Sequence, residues 1–70
     1  MDKDQFLHNV SVETNVNIEL LKDLSVDEKF LGLVKAGKKN EAIFLIRRLQ
    51  NRVELWEAKK IVELFAEEYK

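Results

Sequence analysis

The chain has no cysteine and no proline, only two glycines and one histidine, and no apolar run longer than Ala42 to Ile46. Each absence removes a class of protein. Without cysteine there are no disulfides and no thiolate metal sites, and a single histidine cannot assemble a zinc ligand set. No metal and no other cofactor is expected. The apolar run falls far short of the roughly 20 residues that span a bilayer. The opening Met1-Asp2-Lys3-Asp4-Gln5 also lacks the apolar core of an export signal. These features predict a soluble, cytoplasmic protein with no membrane partner, and they make Asn9-Val10-Ser11 a chance match to a glycosylation acceptor.

No glycine-, proline- or serine-rich stretch divides the 70 residues, and no internal repeat is visible, so one small domain is expected over residues 1–70. A chain of this length hides only about 60% of its unfolded surface. With no covalent staple, self-association or a partner is the remaining source of added stability, and a homo-oligomer is predicted.

Charge is present in quantity and unevenly placed. Residues 1–34 carry three basic against seven acidic side chains, residues 35–60 eight against three, and residues 61–70 one against three. A basic middle between acidic ends suits an acidic protein, a nucleic acid or a second copy of the chain, and the signs alone do not choose among them.

From Phe6 to Leu20 the even positions are Phe6, His8, Val10, Val12, Thr14, Val16, Ile18 and Leu20, and most odd positions after Leu7 are polar. Alternation of this kind, rich in Val and Ile, predicts an extended segment or β-hairpin over about 6–20, turning near Glu13 to Asn15. The competing pattern is a helix capped by Thr14 or Asn15 and running to Leu24 on Val16, Leu20, Leu21 and Leu24. Ser25 and Glu28 have capping-box spacing and predict a helix over about 26–36, with Val26, Phe30, Leu31 and Val34 inward and Gly37 as its left-handed stop. A second helix is predicted over about 39–51 on Ala42, Ile43, Leu45, Ile46 and Leu49. A third, over about 54–69, follows Leu55, Ala58, Val62, Phe65 and Tyr69. The expected fold is therefore mostly α with an N-terminal extended arm (α+β), the alternative being an all-α small bundle.

Three constellations bear on chemistry. Gly32 to Lys39 approaches the phosphate-binding loop, but Lys39 stands where that loop needs a hydroxyl and no strand precedes Gly32. His8 has no Ser or Asp at triad spacing and is expected to be half-buried. Glu63, Glu67 and Glu68 and the pair Asp27 and Glu28 read as solvated helix faces and helix-end charges. No enzyme is indicated.

The stretch Gly37 to Glu63 reads as two amphipathic helices around a short loop and holds most of the positive charge. Gly37-Lys38-Lys39 is followed there by Ala42-Ile43 and Ile46-Arg47, and Leu55 by Glu57-Ala58-Lys59-Lys60-Ile61-Val62-Glu63. This resembles the helical hairpin of the C-terminal domain of the bacterial large-subunit ribosomal stalk protein and its small stand-alone relatives, over residues 37–63 only. The resemblance implies a hairpin whose basic side contacts translation GTPases, with Lys38, Lys39, Arg47 and Lys59 as the contact residues. Where that family usually exposes a lysine, this chain has Phe44 and Trp56. Two large rings on the outside of one hairpin form a patch that calls for a cover, which the N-terminal segment, a second copy or another partner could supply.

The leading expectation is a non-enzymatic protein-interaction module, accessory or inhibitory in kind, binding an acidic protein through Lys38, Lys39, Phe44, Arg47, Arg48, Arg52, Trp56 and Lys59. The alternative is a small nucleic-acid-binding regulator, since a basic helix pair with a short turn has the outline of a helix-turn-helix.

Overall fold

The computed structural model describes residues 2–69, and their regular elements are all helical. Five helices follow one another: α1 (Lys3–Thr14), α2 (Ile18–Ser25), α3 (Glu28–Lys35), α4 (Lys39–Leu49) and α5 (Leu55–Glu68). The expected three helices with an extended arm are thereby corrected to an all-helical bundle.

The error lies in the period. Phe6, Val10 and Thr14 are buried, and a step of four satisfies both a period of two and a helical stripe. The residues that separate the two patterns are His8 and Val12, which a strand would bury beside them; here His8 is exposed and Val12 is 68% exposed, while odd-numbered Leu7 is buried. Asp2 starts α1 by accepting a hydrogen bond from the Gln5 amide at 2.9 Å, and Asn15 ends it in the left-handed conformation at φ 59°. Asn tolerates that conformation better than most residues. The Ser11 hydroxyl donates to the Val16 carbonyl at 2.7 Å, tying the end of α1 to the turn that follows.

Asn17 then caps α2, its side chain accepting from the Glu19 amide. The sequence expectation of a helix starting after Ser25 also needs correction. Ser25 closes α2, its hydroxyl donating to the Lys22 carbonyl, and Asp27 caps α3 by accepting from the amides of Lys29 and Phe30. A carboxylate that reaches two otherwise unpartnered amides outcompetes a serine hydroxyl two positions earlier. Val26 falls in the connection between the helices and is 68% exposed.

Gly37 ends α3 as the sequence predicts, at φ 78°, in a Schellman arrangement: its amide donates to the Val34 carbonyl and the Lys38 amide to that of Leu33. The near phosphate-binding loop is resolved by the same bonds. Two of the amides it would use are already committed to helix-end carbonyls, and Gly32 lies within α3.

α5 is the central element, packing on α4, α1 and α3. Ala58, Ile61, Val62 and Phe65 are fully buried on it. Phe65 is the hub of an aromatic cluster, edge-on to Phe6 at 5.1 Å and to Phe30 at 5.2 Å and stacked with Tyr69 at 5.7 Å between ring centroids. Phe6 belongs to α1 and Phe30 to α3, so this one ring joins three helices. The radius of gyration is 10.6 Å, against about 11 Å expected for a globular chain of this length. The five helices close around one buried core.

Candidate interaction surface

α4 is held by its inner side, where Ala42 and Ile46 are fully buried. At about 100° per residue, a position two residues from both must point the other way. Phe44 is that position and is 72% exposed, more than the other exposed large hydrophobics among the described residues. Arg47 and Arg48 follow one turn later on the same outer side and are exposed as well.

These residues line a groove of about 320 Å³ with Ile43, Asn51 and Leu55. Ile43 and Leu55 supply apolar walls from α4 and from the first turn of α5, Phe44 stands at the edge, and the two guanidinium groups carry the charge. Among the described residues neither arginine has an ion-pair partner. A positively charged groove with apolar walls and no internal counter-charge is suited to a ligand carrying both carboxylates and apolar side chains.

The remaining site residues expected from the sequence are dispersed. Lys38 precedes the first turn of α4 and pairs with Glu41 at 3.9 Å, both side chains largely in solvent, so the pair contributes little. Lys39 and Lys59 are exposed and line no groove with Phe44. Arg52 faces a separate groove of about 390 Å³ beneath the α1–α2 turn, shared with the carboxylates of Glu19, Asp23 and Glu57. Trp56 is 54% exposed and lies outside the Phe44 groove; its indole N–H donates to the Glu54 carboxylate at 2.8 Å. Glu54 in turn is half of the capping box of α5, whose other half is the Glu57 carboxylate accepting from the Glu54 amide. The structure thus brings together Phe44, Arg47 and Arg48, and it separates Trp56 and Arg52 from them.

Three residues of the groove, Ile43, Asn51 and Leu55, were not expected there. Leu55 belongs by spacing to the inward stripe of α5 yet is 53% exposed in its first turn. Ile43 is half-buried on the flank of α4. The signal for Leu55 was its place at the very end of the stripe. His8, expected to be half-buried, is exposed on α1, and among the described residues no group of three or more His, Asp or Glu side chains is placed to hold a metal ion.

No helix among the described residues is long and apolar enough to cross a membrane. In comparisons with known proteins, no family model, no curated protein and no solved structure matches the chain.

Proposed function

We propose that this chain is a non-enzymatic protein-interaction module that holds an acidic protein partner in the α4 groove, as a small accessory or inhibitor protein does. The observation that carries the reading is the conjunction of Phe44, 72% exposed, with Arg47 and Arg48, neither ion-paired among the described residues, around one apolar-walled groove. Exposed aromatics and arginines are the residue types that dominate binding energy at protein interfaces. The groove also lies on the hairpin that resembles that of the ribosomal stalk protein, whose basic side serves as a contact surface.

A nucleic-acid reading draws on the same charge but fits the surface less well. Phosphate backbones are tracked by a continuous basic stripe, whereas Lys39, Arg52 and Lys59 lie outside the groove and its walls are apolar. The first turn of α5 presents Leu55, Trp56 and Glu57 where a recognition helix needs base-reading side chains.

The test is selection from an unbiased displayed-peptide library on immobilised protein, wild type beside Phe44→Ala and beside Arg47→Glu/Arg48→Glu. Enrichment of sequences rich in Asp and Glu, lost in both variants, is the expected result. Enrichment that survives Phe44→Ala defeats the reading. Retention on DNA or RNA that falls steeply with salt and depends on the arginines but not on Phe44 replaces it with the nucleic-acid alternative.

A further inference from the structure

Phe44 is shared between two hollows. On one side lies the groove with Ile43, Arg47 and Leu55; on the other, a second of about 290 Å³ is lined by Lys29, Leu33, Glu41, Leu45 and Arg48 together with Phe44. Arg48 also borders both. The outer surface of α4 is therefore an aromatic ridge between two partly apolar depressions, one walled by α5 and the other by α3. Three basic side chains border the pair, Lys29, Arg47 and Arg48, against the single carboxylate of Glu41.

Resting on the proposed function, we infer that the partner presents an acidic amphipathic helix laid across α4, with two apolar side chains one or two turns apart straddling Phe44. Helix geometry supplies the matching spacing: side chains at i and i+4 stand about 6 Å apart on one face, and those at i and i+7 about 10.5 Å along the axis. An anchor on either side of the Phe44 ring enters each depression, and carboxylates flanking the stripe meet Arg47, Arg48 and Lys29. This is the helix-in-groove mode, in which the apolar face supplies affinity and the flanking charges supply orientation and rate.

Charge argues against a second copy as the occupant. A two-fold pairing through this face would bring together two surfaces of like net charge, each with three basic side chains against one carboxylate. A head-to-tail pairing would need an acidic surface with large apolar anchors, and among the described residues of the acidic N-terminal half the exposed large hydrophobics are Val12, on α1, and Val26, apart from it in the α2–α3 connection. The occupant is thus a different chain, acidic and helical.

The experiment is a display library built on a 16-residue helical scaffold with surface positions randomised, followed by fluorescence polarisation of the best selected peptide against the wild type and three variants. Expected are sequences with excess Asp and Glu and two large apolar residues at i,i+4 or i,i+7, with helicity rising on binding. Phe44→Ala should weaken the peptide by roughly thirtyfold, as loss of a central aromatic does. Arg48→Glu, bordering both depressions, should weaken it by about tenfold or more, and Lys29→Glu by about threefold to tenfold. Selected peptides that need Phe44 and Arg48 but ignore Lys29→Glu, or that carry one anchor, overturn the bridging helix while leaving the proposed function standing. Binding indifferent to Phe44→Ala overturns both. Sedimentation showing a dimer lost in Phe44→Ala overturns the hetero-partner in favour of a second copy.

Discussion

Replacement of Phe65 by leucine separates the side chains that build this fold from those that decorate it. The ring is fully buried and lies within 5.1–5.7 Å of three other aromatic rings, so the change removes apolar volume and three ring contacts at once. Trimming a buried aromatic to an aliphatic side chain leaves a partial cavity costing on the order of 1 kcal/mol, and each favourable aromatic pair adds roughly 0.5–1.5 kcal/mol, not fully additively. A destabilisation of about 2–3 kcal/mol follows. A domain of this size has roughly 3.5–10 kcal/mol of stability in all. Unfolding entropy of about 2.1 cal/mol/K per residue makes each kcal/mol worth about 7 °C here, so Phe65→Leu should lower the melting temperature by about 14–20 °C. Circular dichroism at helical wavelengths, on heating and in urea, reads the shift directly. Phe44→Ala is the internal control: a largely solvated ring contributes little to folding, and its melting temperature should stay within about 4 °C of the parent. If Phe44→Ala proves as destabilising as Phe65→Leu, Phe44 is part of the core and the interaction surface built on it does not exist.

Asp27→Ala should cost about 1 kcal/mol by releasing the Lys29 and Phe30 amides, whereas Ser25→Ala, predicted from sequence to be the capping position, should not reproduce the loss of a cap; paired urea titrations decide it. Gly37→Ala should cost about 1 kcal/mol although nothing lies within 4 Å of the added methyl, because only the backbone at φ 78° resists; a neutral result would refute the left-handed stop. Glu54→Ala removes both the helix cap and the indole partner, and a fall of about 1 kcal/mol with altered Trp56 fluorescence in the folded state is expected; unchanged emission would mean that the indole is held otherwise. Ser11→Ala should lose about 1 kcal/mol through the broken link to the Val16 carbonyl, measured by the midpoint of denaturation.

What the sequence determined by itself is what depends on near neighbours along the chain. Gly37 as a stop and the stripes of Ala42 and Ile46 and of Ala58, Val62 and Phe65 are local consequences of backbone preference and helical spacing. So is the outward direction of Phe44, since helix geometry alone turns it away from Ala42 and Ile46. The helical state of residues 6–20 was not legible in the same way. Phe6, Val10 and Thr14 fit either period, and it is packing against α2 and α5, with Phe6 edge-on to Phe65, that favours the helix and leaves His8 and Val12 in water. The candidate site divides along the same line. Its charges and its exposed ring could be read from the chain, but which of them act together could not. Trp56 and Arg52 are near Arg48 in sequence, yet the α4–α5 turn carries them to other surfaces, while Leu55 and, across α3, Lys29 and Leu33 arrive beside Phe44. Neighbourhood between helices is set by how their inner faces pack, and one chain's spacing holds no record of that until the core has closed.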